Sequence, residues 1–193
     1  MKQRGLKQKI LILSAVAICA AMTAYGTVAY FTAEDTARNV ITAGNVKIEL
    51  QEQMRTDDGS IVPFTDQMDI MPGREVSKIV QVKNTGDQPA WIRIAVQKDI
   101  QLAQGVEGEV DLTLISFDLD QEHWSEKDGF YYYNTSLAPG QTTEPLFQTV
   151  SFAKSMSNMY QHSQAIIQVD AQATQTANNG ETVFDAAGWP EAE

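Results

Sequence analysis

Residues 165–174 read AIIQVDAQAT. Ala165, Ile167, Val169, Ala171 and Ala173 alternate with Ile166, Gln168, Asp170, Gln172 and Thr174. A period of two sends successive side chains to opposite faces, so this stretch is a strand with one buried face. That face ends in alanines, and a bulky partner is expected opposite them.

The same period recurs in weaker form along the chain. Val46, Ile48 and Leu50 alternate with Lys47, Glu49 and Gln51. Val76, Val80 and Val82 share one face of a stretch over 75–83, and Ile92, Ile94 and Val96 oppose Trp91 and Arg93 over 91–96. Residues 110–117, 130–133 and 143–152 are strand-like, the last interrupted by Pro145. Residues 61–64 contain Pro63, which cannot donate to a ladder and belongs on an edge. Turns are expected at Asp57-Asp58-Gly59, Met71-Pro72-Gly73, Asn84-Thr85-Gly86-Asp87 and Leu137-Ala138-Pro139-Gly140, where proline presets φ or glycine accepts positive φ. The polar stretch 98–109, with Gly105 and Gly108, is predicted to be a loop, and 118–128 an acidic segment around Trp124. A short helix or irregular crossing is expected over 154–162, and one helical turn around 183–187 in a tail pinned by Trp189. About eight short strands with regular turns and no solenoid repeat predict an all-β, antiparallel sandwich.

The N-terminus has a different character. Lys2, Arg4, Lys7 and Lys9 precede an apolar run over 10–24, ILILSAVAICAAMTA, and small-x-small sites follow at Ala24-Tyr25-Gly26 and Thr27-Val28-Ala29. A basic head, a short apolar run and small residues form a secretory signal, and the run is shorter than the ~20 residues of a membrane span. An uncleaved anchor is the alternative. Cleavage removes Cys19, so a thiol chemistry is not expected of the exported chain. It also leaves ten bases of the 14 against all 25 acids, a net charge of −15. Such a charge disfavours nucleic acid and anionic membrane as partners. Copies of the chain repel at long range, so any self-assembly rests on short-range contacts and is helped by salt.

Catalytic signatures are sparse. The two histidines, His123 and His162, lack the His-Glu-x-x-His spacing that sets two imidazoles on one helical face beside a metal. Asp118, Asp120, Glu122, Glu126 and Asp128 are candidate calcium ligands, and the first three begin like a calcium loop, but His123 stands where its glycine is required, and a solvated acidic loop is the preferred reading. Tyr131, Tyr132 and Tyr133 with Trp124 suggest a sugar platform, against a plain strand with tyrosines on both faces, which is preferred. No catalytic residue, cofactor or metal is therefore assigned.

The stretch 27–48, with Thr27-Val28-Ala29-Tyr30-Phe31-Thr32 leading to Thr42-Ala43-Gly44-Asn45-Val46-Lys47-Ile48, resembles the start of the TasA and camelysin family of biofilm-matrix and surface proteins of Gram-positive bacteria. Pro72-Gly73, the strand through Val82 and Lys83-Asn84-Thr85-Gly86 are similar to the family's next segment. Trp124, Asp128-Gly129-Phe130-Tyr131-Tyr132-Tyr133, Leu137-Ala138-Pro139-Gly140, Leu146-Phe147 and the strand 166–175 resemble its clostridial, BsaA-like branch.

The resemblance implies a signal helix over 1–29 cut between Ala29 and Tyr30 by a SipW-type signal peptidase. It implies an extended donor segment over 30–45 and a jelly-roll-like β-sandwich over 46–193. It further implies a secreted, non-enzymatic subunit, with no membrane association after cleavage. Such subunits polymerise into extracellular fibres by adding an N-terminal strand to a neighbouring copy, with Tyr30, Phe31, Val40 and Ile41 as the intersubunit residues. A minor fibre or anchoring subunit is a further implied partner. The alternatives are a monomeric surface adhesin or fibre-accessory module and, remotely, a camelysin-like metalloprotease.

Overall fold

In the computed structural model the described residues are 40–43, 45–64 and 67–190. They are all-β, and the alternating stretch 165–174 is the spine. Strand β12 (Gln164–Gln175) pairs antiparallel with β7 (Ala90–Gln101) over twelve residues, from Gln164↔Gln101 to Gln175↔Ala90. The other side of β7 carries β10 (Phe130–Tyr133), and β9 (Trp124–Lys127) pairs with β10 at one margin of the sheet. The opposite margin is shared by two short strands on β12. One is β4 (Gln67–Asp69), antiparallel beside residues 164–166, and the other is β1 (Val40–Ala43), parallel beside residues 171–174.

A second layer is built from two three-stranded sheets. β2 (Ile48–Arg55) lies between β3 (Ile61–Pro63) and β6 (Ile79–Asn84). β11 (Thr149–Phe152) lies between β5 (Glu75–Ser77) and β8 (Ile115–Phe117). Residues 141–148 join them by running along β6: Leu146 N–H donates to Val80 O at 2.8 Å and Thr143 N–H to Val82 O at 2.9 Å. Pro63 falls on the edge strand β3, as its missing N–H requires.

One hydrophobic core draws on both layers. Val80 and Val82 of β6, Ile115 of β8 and Val150 of β11 are buried with Ile92 and Ile94 of β7 and Ile167 and Val169 of β12. Each such side chain contributes about 1.5–3 kcal/mol relative to exposure. All five residues of the alternating face, Ala165 to Ala173 in steps of two, are buried.

Four sequence expectations are corrected. Residues 98–101 are strand, not loop, because they pair with 164–167 of β12; Ile100 is buried and the Lys98 ammonium donates to Leu112 O and Ile115 O at 3.0 and 2.9 Å. The acidic segment 118–128 contains β9, which the Asp128-Gly129 turn returns into β10 with φ of 53° and 81°. The strand expected over 110–117 starts as a 3₁₀ turn at Leu112–Leu114, where Asp111 caps Thr113 N–H at 2.9 Å. The tail forms a turn closed by Asp185 N–H to Thr182 O at 3.2 Å, with no helix.

That tail is a strap on the outer face of the first sheet. Val183 is buried against Trp91 and Tyr132, and Trp189 meets the Tyr132 ring edge-on at 5.8 Å. The Arg93 guanidinium is held between the rings of Phe130 and Trp189, 3.9 and 4.6 Å from their centroids, and donates to Gln172 Oε1 at 2.7 Å. Asn179 ties the strap down, donating to Gln175 O and Ala187 O and accepting from Ala187 N–H at 2.7 Å. The C-terminal end of the polar face of β12 is buried as a result: Gln172 and Thr174 are each 2% exposed, while Gln168 lies open beyond the strap.

The second layer contains a buried charge. Lys78 falls in step with Val76, Val80 and Val82, so alternation points it into the core, and it is 0% exposed. Its ammonium bonds the Glu52 carboxylate and lies 4.0 Å from the centroid of the Phe64 ring. Removing one partner of such a pair costs about 3–5 kcal/mol, whereas replacing both with apolar groups is often neutral. Lys78→Ala is expected to lower unfolding free energy by about 3–5 kcal/mol in urea titrations, and Lys78→Met with Glu52→Met to recover most of it. A double variant as unstable as Lys78→Ala would contradict this.

Candidate functional site

The expected site residues divide into two groups. Ala29, Tyr30 and Phe31 lie outside the described residues, as do the signal and most of the donor segment. Val40 and Ile41 lie in β1, opposite Ala171 and Gln172 of the same chain's β12. Val40 packs half-buried against the main core, over the alanine end of the buried face. Val40, Ile92 and Ile94 flank those alanines as in-sheet neighbours on the same face. From β1 the chain crosses to the second layer, where Val46 is buried and Lys47 O accepts from Thr85 N–H and Gly86 N–H, both at 3.0 Å.

The two margins of the first sheet are in register. Val40, Ala171, Ile94, Tyr131 and Glu126 form one continuous row from β1 across β12, β7 and β10 to β9. The first four pack into the core or against it. Glu126 follows Trp124 by two residues, so it shares the core-facing parity, and it ends the row at the open margin as an exposed carboxylate.

A cavity of about 300 Å³ lies at this margin, lined by Leu119, Asp120, Trp124, Glu126, Tyr131 and Leu146 among others. Leucines from the second layer face aromatic rings from the first, with carboxylates at the rim. Burial, reinforced by the Glu126 carboxylate, pushes the Tyr131 phenol above its ordinary value. Behind it, Trp124 Nε1–H donates to Glu144 O at 3.1 Å, and the Tyr133 hydroxyl donates to the Glu144 carboxylate. That hydroxyl is the main cause holding Glu144 below the usual carboxylate range.

Asp120 organises the turn into β9. Its Oδ1 accepts from Glu122 N–H at 2.9 Å and His123 N–H at 3.1 Å, and its Oδ2 faces His123 Nδ1 at 2.8 Å. Desolvation opposes the Asp120 charge, but the hydrogen bonds from His123 and Glu122 outweigh it and the carboxyl is lowered. His123 is raised, first by its bond to Asp120 and then by the nearby charges of Asp120, Glu144 and Glu122. An Asp–His pair is two thirds of a nucleophilic relay, but among the described residues no hydroxyl bonds the imidazole. Among the described residues, no group of three His, Cys, Asp or Glu side chains is arranged to hold a metal ion. Asp118 accepts from Gln148 N–H and Thr149 N–H at 2.9 and 2.6 Å, which ties it to the second layer.

Sequence reasoning takes Glu126 only as one of five acids that could bind calcium and does not find the cavity, because it does not recognise β9 as a strand. The Asp-Gly pair at 128–129, flanked by Trp124 and Phe130, is the signal that would have found it.

The charges of Asp120 and His123 favour one arrangement, carboxylate beside imidazolium. The His123 contribution is full below its ordinary value of 6.5 and is lost as pH rises through the raised folded value. The Asp120 contribution is present above its ordinary 3.8 and is lost as pH falls through the lowered folded value. An NMR titration is therefore expected to give His123 a midpoint above 6.5 that falls in Asp120→Asn. The same substitution should destabilise the chain more at about pH 6 than at about pH 9. An unmoved His123 midpoint would refute the pairing.

No family model matches the chain, and neither a curated protein nor a solved structure matches it.

Proposed function

We propose that this chain is a secreted, non-enzymatic structural subunit that polymerises into extracellular fibres on a Gram-positive surface. A SipW-type peptidase cuts between Ala29 and Tyr30, and the freed N-terminal segment adds to a sheet of a neighbouring copy. The two layers are the halves of a jelly-roll-like sandwich. A minor or anchoring subunit completes the fibre.

One observation carries this reading: the N-terminal strand β1 ends the first sheet at one margin and β9 ends it at the other, and among the described residues no strand pairs with the far side of β9. A chain that enters at one edge and offers a different edge has the parts of a head-to-tail contact. Such a contact is heterologous and does not close, so it propagates as a filament. Strand addition supplies main-chain hydrogen bonds, and pockets for alternate side chains supply selectivity. The resemblance at 27–48 supports the cut site and the donor role of Tyr30 and Phe31, while Val40 and Ile41 pair with the chain's own β12 and anchor the segment at its base.

The second reading is a monomeric surface-binding module, and the aromatic, acidic cavity favours it. The two differ in what purified protein does. Chain starting at Tyr30 is expected to form filaments by electron microscopy. Growth should accelerate with salt and as pH falls toward the acidic isoelectric point, which loss of four bases sets below the value of about 4.5 for the full sequence, because both weaken repulsion between acidic copies. Deleting 30–39 while keeping β1 should give a folded monomer. Chain starting at Tyr30 that stays monomeric at high concentration and raised salt would favour the binding module instead.

A further inference from the structure

We infer that the cavity at the β9 margin receives the N-terminal end of a neighbouring copy, holding the α-amino group of Tyr30 at Glu126 and the Tyr30-Phe31 side chains between the layers. This rests on the fibre reading above and names the receiving edge.

Position is the first ground. Val40 and Glu126 end the same row across the sheet, so a segment leaving β1 is at the level of a neighbour's cavity when two copies meet margin to margin. The ten residues 30–39 span at most about 33 Å when extended, and the sheet from β1 to β9 is about 19 Å across. A segment could reach its own cavity only by crossing the sheet. The outer face at that level is occupied by the strap, through Val183 and Trp189 on Trp91, Tyr132 and Arg93.

Chemistry is the second ground. Cleavage at Ala29 creates a positive charge at Tyr30 that the uncut chain does not have, immediately followed by two aromatic rings. The cavity offers the complement: carboxylates of Glu126 and Asp120 at the rim, the Tyr131 and Trp124 rings, and Leu119 and Leu146. Its volume of about 300 Å³ is at the small end of ligand pockets, sized for a chain end rather than a long peptide. Asp120 is already engaged by His123, which leaves Glu126 as the principal acceptor. Lys127 does not cancel it, since its ammonium lies 5.6 Å from the centroid of the Phe184 ring on the strap. The processing step thus makes the group that the receiving site recognises.

A core-facing carboxylate on an edge strand has a rival meaning, a guard that prevents unwanted pairing. The two meanings predict opposite effects. If Glu126 receives the amine, Glu126→Gln slows filament growth of chain starting at Tyr30; if it is a guard, the same change accelerates growth.

The direct test uses chain starting at Tyr30 with its own end acetylated, and the peptide YFTAEDTARN (residues 30–39) as probe. The free-amine peptide is expected to shift the Trp124 indole N–H resonance. The acetylated peptide should bind about tenfold more weakly, the equivalent of one charge-assisted hydrogen bond. Glu126→Gln should abolish the difference. Equal binding of both peptides, or shifts confined to the β12 margin, would overturn the assignment. So would unacetylated chain that shows the bound Trp124 signal at every dilution, since its own end would then fill the cavity. Filaments without selective peptide binding would sink the cavity assignment and leave the fibre reading standing. Selective binding without filaments would do the reverse.

Discussion

The structure depends on the twelve-residue ladder between β12 and β7. Every other strand of the first sheet attaches to one of these two or to a strand already attached, and the inward residues of both form the floor of the core. The ladder is longer than the usual strand of five or six residues. Its length lets one margin of β12 carry two separate short strands, β4 and β1, at different heights. It also sets the row that joins Val40 to Glu126. Register in a sheet cannot slip by one residue without turning the buried face outward, so the alternation of 165–174 fixes that row as firmly as it fixes the core.

The strap gives the outer face of the same ladder a second role. A sheet face bearing Trp91, Arg93, Tyr132, Gln172 and Thr174 would otherwise mix aromatic surface with polar groups. The strap covers it and satisfies those groups in place: Trp91 Nε1–H donates to Asn179 O at 3.1 Å and Arg93 to Gln172 and Pro190. Gly180 is needed there, because a side chain at its φ of +77° would meet the Asp185 backbone carbon at 2.8 Å. With one face in the core and the other strapped over its upper rows, lateral growth of the first sheet is confined to its margins. The N-terminal segment joins the sheet at the β1 margin and not at the β9 margin, which is the asymmetry the proposed fibre uses.

The parts of the fold legible in the sequence are those that local pattern controls. The alternation at 165–174, the Pro-Gly turn at 72–73, the Asp-Gly turn at 58–59 and the edge position of Pro63 are set by side-chain period and by allowed φ. What escaped was set by distant partners. Lys98, Asp99 and Gln101 read as loop because they are polar; they are strand because β12 continues beside them. Lys78 is not singled out in the sequence, and it is Glu52 on a distant strand that holds its charge inside. Glu126 reads as one acid among several until β9 is seen as a strand and its parity with Trp124 becomes a direction. The donor residues Tyr30 and Phe31 rest on resemblance, while the cavity proposed to receive them rests on the row and on charge. The resemblance names a donor and no receiving edge; the edge comes from the row and the charge alone.

Disulfide trapping tests the central claim most directly, since chain starting at Tyr30 has no cysteine of its own. Three single variants are needed: Thr32→Cys on the donor segment, Ser125→Cys on β9 and Gln168→Cys on the β12 margin. Mixing the first with the second under assembly conditions and mild oxidation should give a crosslinked dimer, and mixing the first with the third should not. A crosslink to residue 168 in place of 125, or one formed only within a single chain carrying both Thr32→Cys and Ser125→Cys, would contradict it.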